Sequence, residues 1–355
     1  MQGGIGMNRY LILEDGTVLN GVAFGYTGDS YGEIVFTTSM TGYLESITDP
    51  SYKNQILTFA SPTVANYPLN KGLFESDSVQ VSGVVARDAH AKLLIDPSWL
   101  YFNSLLEEQK VPGIDMVDTR LLVRKIREKG VMRAYISSSP EVPASFPDPM
   151  DQDVVSKVSC SEPYHVKGNG KHKVLFIDVG AKKSLVRELS NLADLYVVPY
   201  NSNFEKIEYD YDSIFISNGP GDPSHSSLSK VTEFIRKRSE DSHIYGVCLG
   251  HQIISIALGG RTVKMKFGHR GSNHAVTDGN RIFITTHNHG YAVDEDSLGN
   301  TGLVVTQWDI NDRSVEMVRH NDKPIFSVQY HPEASPGPRD ARWFFEDIRR
   351  DLEVH

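Results

Sequence analysis

Two periodicities divide the chain. Up to about residue 145 the apolar positions fall in short runs, Tyr10-Leu-Ile-Leu13, Gly32-Glu-Ile-Val-Phe-Thr-Thr38 and Gln55-Ile-Leu-Thr-Phe59. Runs of this length, rich in β-branched and aromatic residues and bounded by turn formers, predict strands. Asp15-Gly16 directly after the first run suits a primed two-residue turn, so a hairpin is expected there. Thr119 to Lys129 follows another rule. Leu122 and Ile126 recur at helical spacing and Gly130 stands where a helix would stop.

Prolines at 140, 143, 147, 149 and 163, followed by Val166-Lys-Gly-Asn-Gly-Lys-His172, then break regular structure. From Lys173 onward, apolar runs alternate with amphipathic stretches. Val174 to Val179, Leu195 to Val198, Ile214 to Ser217 and Ile244 to Val247 predict strands. Helices are expected through Leu185, Val186 and Leu189, over Leu228 to Arg238, and over Leu249 to Leu258. Buried strands alternating with helices predict a parallel sheet covered on both faces, with functional loops at the carboxyl ends of the strands. The expected fold class is α/β: a smaller strand-rich α/β domain over residues 1–150, a linker over 151–172, and a parallel-sheet α/β domain over 173–355. The Gly-rich stretch before Met7, residues 1–6, is set apart as an alternative start or a non-native addition.

Composition narrows the function classes. With 355 residues, 39% hydrophobic and 23% charged, the chain can bury a sizeable core, and its net charge of -9 gives no footprint for nucleic acid or anionic membrane. No apolar run approaches the ~20 residues of a membrane-spanning helix, and the N-terminus lacks the regions of a signal peptide, so a cytoplasmic protein is expected. Only Cys160 and Cys248 are present, which argues against a disulfide scaffold or a Cys-rich metal site. Cys160 reads as a small buried apolar residue.

Cys248 reads otherwise. It follows a predicted strand, precedes a predicted helix, and has Gly246 and Gly250 as second neighbours. That is a nucleophile elbow with cysteine for serine: small residues relieve a sharp turn, and the helix N-terminus favours thiolate. The N–H of Leu249 is then placed to stabilise an oxyanion. A cysteine nucleophile needs a base and the base an orienter. Tyr330-His-Pro-Glu333 offers both, because the residue before proline is pushed into an extended conformation that sends His331 and Glu333 to the same side. Ser217-Asn-Gly-Pro-Gly-Asp-Pro223 ends another strand and can present backbone N–H groups to a substrate carbonyl. Taken alone, each of these motifs reads more readily as an ordinary turn or a surface pair. His287-Asn-His289 and Gly268 to His274 do not supply the ligand spacing of a zinc hydrolase, and no metal is expected.

Taken in order, Asn-Gly-Pro-Gly-Asp-Pro, Gly-Val-Cys-Leu-Gly-His-Gln and His-Pro-Glu resemble the class I (triad) glutamine amidotransferases over Lys173 to Arg350. In the N-terminal half, Thr38-Ser-Met-Thr-Gly-Tyr43, Thr48-Asp-Pro-Ser-Tyr52 and Asp115 to Arg120 resemble the small subunit of carbamoyl-phosphate synthase. So do Met265-Lys-Phe-Gly-His269 and His331-Pro-Glu-Ala-Ser-Pro-Gly-Pro338. The resemblance implies Cys248 as nucleophile, His331 as general base and acid, and Glu333 as its orienter. It implies L-glutamine against Ser51, Gly219, Gly221, Leu249, Gln252, Asn288, Gly290 and Tyr291. Position 291 is Tyr where Phe is common, so its hydroxyl needs a partner.

The resemblance further implies a thioester intermediate and ammonia passed through a channel to a carbamoyl-phosphate synthase large subunit. ATP, Mg and bicarbonate would be handled there, feeding arginine and pyrimidine synthesis. No Gly-rich phosphate loop is apparent here, so no cofactor is expected on this chain and the ATP-using partner is expected to be a separate polypeptide. Lys264, Lys266 and His269 are read as facing that partner. Rival readings are a stand-alone γ-glutamyl cysteine hydrolase and a non-catalytic regulatory subunit.

Overall fold

A computed structural model describes residues 7–89 and 97–354. The chain divides into two compact units, one ending at Gln152 and the other starting at Asp153.

The first unit is a closed barrel of seven strands: β1 (Asn8–Leu13), β2 (Val18–Gly25), β3 (Ser30–Thr37), β4 (Gln55–Phe59), β5 (Gly83–Val85), β6 (Pro112–Asp115) and β7 (Met132–Ser137). They are arranged β1-β2-β6-β5-β4-β3-β7, and β7 pairs back onto β1. The β1–β2 hairpin exists, but its turn is not the primed two-residue type. Leu13 N–H donates to Thr17 O, and of the turn residues only Gly16 takes positive φ, +84°. That is a three-residue loop closed by glycine, one residue longer than Asp-Gly alone suggests.

Helices α1 (Tyr43–Thr48), α2 (Pro97–Glu108) and α3 (Thr119–Lys129) complete the unit. The predicted α3 has the expected bounds. Asp118 caps it by accepting from Leu121 N–H at 3.0 Å, and Arg127 and Lys129 complement its negative end. The unit's core is aromatic: Phe24 lies 5.1 Å from Trp99, and Phe102 lies 5.3 Å from Tyr43, ring to ring.

The second unit is built on one ten-stranded sheet. Its strands are β8 (Tyr164–Val166), β9 (His172–Asp178), β10 (Ala193–Pro199), β11 (Ser213–Ile216), β12 (His243–Val247), β13 (Thr262–Thr277), β14 (Ile282–Val293), β15 (Leu303–Asp309), β16 (Val315–His320) and β17 (Ile325–Val328). The order is β14-β13-β15-β16-β17-β12-β11-β9-β10-β8. Strands β17, β12, β11, β9 and β10 are parallel, and the two flanks are antiparallel. Part of the stretch read as a linker thus supplies β8, paired to β10.

Strand residues alternate between two cores. Val174, Phe176, Phe215, Tyr245 and Val247 pack on one face, and Leu175, Ile177, Ile214, Ile216 and Ile244 on the other. This is why the strands read as continuous apolar runs rather than as alternating ones. Helices α4 (Lys183–Ser190) and α7 (Trp343–Val354) cover the first face through Leu185, Leu189, Phe344 and Ile348. Helices α5 (Ser229–Arg238) and α6 (Leu249–Ala257) cover the second through Val231, Ile235, Ile253 and Ile254. Strand order reverses between β9 and β11, so the loops leaving their carboxyl ends diverge and open a crevice there. No helix among the described residues is long and apolar enough to cross a membrane.

Candidate active site

Cys248 stands between β12 and α6 with φ +55° and ψ -104°, outside the regions an L-residue prefers. Two close approaches allow it. A Cβ on Gly250 would fall 2.2 Å from Ile216 O, and one on Gly246 would fall 2.7 Å from the Gly250 backbone. Only glycine fits either position, as the elbow reading requires. Cys248 N–H is anchored on Val328 O at 2.8 Å, and its buried thiol points to Asn288 O at 3.6 Å.

His331 and Glu333 meet, though not by the expected route. The segment is a turn rather than an extended strand end: Ala334 N–H donates to His331 O, and β17 has already stopped at Val328. The turn is held by His331 N–H donating to Thr286 O at 2.8 Å. Within it, His331 Nδ1–H donates to Glu333 Oε1 at 2.7 Å, leaving Nε2 without a protein partner among the described residues. Burial opposes a charge on His331, but Glu333 outweighs it, and contact with Cys248 adds to the effect, so the imidazolium is favoured. Burial likewise opposes charge on Glu333, and Lys182 and then His331 outweigh it, keeping the carboxylate ionised. The cluster therefore carries a stable positive charge on the ring that faces the thiol.

Lys182 was missed in the sequence. It sits just past the carboxyl end of β9, fully buried, and donates to Glu333 Oε1 at 2.9 Å and to Ala334 O at 2.8 Å. Its backbone N–H donates to Asn218 Oδ1, and Asn218 Nδ2–H donates to Gly180 O, so the β9 and β11 loops are tied together. Nothing in Gly180-Ala-Lys-Lys183 singles out one lysine. The available signal was position alone, at the end of a central parallel strand.

The expected pocket residues sort into groups. Gly219 must be glycine, because a Cβ there would lie 2.0 Å from Val179 O and 3.0 Å from Leu249. Gly221 takes φ +97°. Gln252 donates both amide hydrogens inward, to Tyr291 O at 2.8 Å and Gln329 Oε1 at 2.9 Å, and so pins β14 beside α6. Asn288 is buried, while Gly290 and Tyr291 are half-buried on the same strand, with Lys264 Nζ 6.0 Å from the Tyr291 ring centre. Ser51 belongs to the first unit, buried in the short turn Pro50–Tyr52, where its N–H donates to Asp49. Cys160 is half-buried, and burial together with Asp178 pushes its thiol up to about 12.

Lys264 and Lys266 are exposed, as read, but His269 is not. It turns inward and joins His287, His289 and Glu316 in a fully buried group. Burial lowers His287 and His289 well below the ordinary imidazole range and raises Glu316 to about 7.

This fold and this site define a class I glutamine amidotransferase, and the family model "Glutamine amidotransferase class-I" matches residues 175–350. The model "Carbamoyl-phosphate synthase small chain, CPSase domain" matches residues 11–136. The carbamoyl phosphate synthase small chain of Thermoplasma acidophilum is 53% identical over 348 residues, spanning 98% of this chain and 99% of that one. The small chain of Methanosarcina mazei is 43% identical, over 96% and 97%. That of Bacillus cereus strain ZK is 42% identical, over 98% and 96%. The chain belongs to the carbamoyl-phosphate synthase small-chain family and is a glutamine-hydrolysing enzyme subunit.

Proposed function

We propose that the chain hydrolyses L-glutamine through a thioester on Cys248 and passes the ammonia to a carbamoyl-phosphate synthase large subunit. The observation that carries this reading is His331, held as an imidazolium by Glu333, itself kept ionised by Lys182, with Nε2 left to the thiol. In this mechanism the imidazolium pairs with the Cys248 thiolate, the nucleophilic form of a cysteine. The thiolate attacks the carboxamide carbon, and the N–H groups of Leu249 and Gly221 receive the oxyanion. As the C–N bond breaks, His331 gives its proton to the leaving nitrogen, so ammonia departs neutral. The neutral imidazole then takes a proton from water, whose oxygen attacks the thioester, and glutamate leaves as the sulfur regains its charge.

Asn288 O lies 3.6 Å from the reacting sulfur, and Gly219, Asn288, Gly290 and Tyr291 are assigned in this proposal to the glutamine backbone and side chain. Gln252 acts by holding Tyr291. None of these steps needs a cofactor on this chain; ATP, Mg and bicarbonate belong to the large subunit.

Mixing the chain with that subunit tests the whole reading. Glutamine-dependent carbamoyl phosphate should appear only in the mixture, and Cys248→Ser should abolish it while ammonia-dependent synthesis persists. Full glutamine hydrolysis by the isolated chain with no response to the partner would instead indicate a stand-alone hydrolase. Unchanged glutamine-dependent synthesis by the variant would indicate a regulatory subunit.

A further inference from the structure

Alternation along β14 puts His287 and His289 on one face, opposite to Asn288. His269 on β13 stands in register with His289, and Glu316 arrives from β16. All four are buried, and one ligand-type atom of each lies within 4.8 Å of all the others.

The hydrogen bonds around them fix where the protons are. Thr285 Oγ1 donates to His274 O at 3.1 Å, so toward His287 it can only accept, and His287 Nε2 carries the hydrogen that meets it at 2.8 Å. The Tyr291 carbonyl can only accept, so His289 Nδ1 carries the hydrogen that meets it at 2.8 Å. Both remaining nitrogens, His287 Nδ1 and His289 Nε2, are then bare lone pairs, yet they lie 3.0 Å apart. Two acceptors that close repel unless a cation lies between them.

His269 Nε2 meets Asp312 at 2.9 Å, while its Nδ1 and Glu316 Oε2 have no hydrogen-bond partner among the described residues. Glu316 Oε1 stands 3.8 Å from His269 Nδ1, and Glu316 Oε2 stands 3.7 Å from His287 Nδ1.

The geometry points to a closed site for one divalent transition-metal ion, zinc by preference, held by His269 Nδ1, His287 Nδ1, His289 Nε2 and Glu316. Tetrahedral zinc with bonds of about 2.0–2.2 Å separates its ligands by roughly 3.3–3.6 Å, and the spacings of 3.0, 3.7 and 3.8 Å bracket that range. The outer nitrogens meet a carboxylate, a hydroxyl and a backbone carbonyl, and Ser314 Oγ donates to Glu316. That is the outer shell that orients metal-bound imidazoles. Four protein ligands leave no open position, so the ion is structural. It fastens β13, β14 and β16 behind Asn288 and Tyr291, and the inference stands whatever reaction Cys248 performs.

The test uses the untagged full-length chain. Metal content is measured as purified, then the ion is stripped with a chelator and the protein titrated with Co(II) and Zn(II) alone. One tight equivalent is expected, with the strong visible bands of four-coordinate cobalt and a zinc-dependent rise in melting temperature. H287Q and E316Q, shown to be folded by circular dichroism, should bind at least about 100-fold more weakly, beyond the usual effect of an outer-shell change.

Folded, stripped protein that ignores micromolar zinc overturns the proposal and leaves a proton shared by the two rings. Undiminished binding by folded H287Q and E316Q overturns the location. If neither variant folds, anomalous diffraction from cobalt-loaded wild-type crystals decides, since a peak away from these four atoms, or none, refutes the site.

Discussion

Two groups of buried histidine and glutamate occupy one sheet, and His331 in one differs in charge state from His287 and His289 in the other. At the carboxyl ends of the parallel strands, the outer nitrogen of His331 meets a carboxylate at 2.7 Å, and the ring is favoured as a cation. In the antiparallel flank, the outer nitrogens of His287 and His289 meet a hydroxyl and a carbonyl, and burial keeps both rings neutral. The residue types are the same and the burial is similar. Between His331 and the pair His287 and His289, what differs is the group behind each ring: a carboxylate favours the cation and a neutral oxygen does not.

The comparison breaks most sharply at the sulfur. Cys248→Ala should lower glutamine hydrolysis by on the order of 10⁴-fold or more, the scale seen when a nucleophile is removed from a catalytic unit. Steady-state glutaminase assays check it, and residual turnover near wild type would remove Cys248 from the mechanism.

Replacing the anion behind His331 comes next. Glu333→Gln should cost about 10²–10³-fold in turnover, within the range for general acid–base catalysis. It also has a pH signature. Glu333 is held below its ordinary range, so its contribution to stability is present above about pH 4.3 and is lost as pH falls through the lowered folded value. The gap in melting temperature between wild type and variant should therefore narrow on acidification. His331 has the opposite sign: its raised value stabilises below about pH 6.5, an advantage that fades as pH climbs through the folded value.

Lys182→Met strips a buried carboxylate of one of its two partners and should destabilise the fold by about 3 kcal/mol. Urea titration measures this. A neutral result would mean that the Glu333 carboxylate stays compensated without the lysine. The smallest effect is expected at the other thiol. Cys160→Ser should change stability by under about 1 kcal/mol and leave turnover untouched, and alkylation at pH 8 should label Cys248 in preference to Cys160, whose thiol is held near 12.

How much of this could be read beforehand depended on the range of the contacts. The parallel strands and α3 were legible, because apolar runs and helical spacing are local. Cys248, His331 and Glu333 were legible because motif order along the chain stands in for geometry. The antiparallel flank was not, since β13 and β14 mix exposed and buried positions with register shifts and show no clean period. The histidine group was dismissed for the same reason. Apart from the neighbours His287 and His289, its ligands lie 18 to 47 residues from one another in three strands, and spacing rules describe only ligands carried on one local segment. Lys182 was invisible because a buried lysine is defined by its partners, and Glu333 lies 151 residues away.

Helix α6 begins at Cys248 with no side chain capping its first turn. Most helices solve that problem once, during folding, with a serine or an aspartate. In the mechanism proposed above, the tetrahedral adduct would set its oxyanion against the Leu249 N–H at this uncapped end, so the intermediate would serve as a passing structural element of the helix as well as a chemical one.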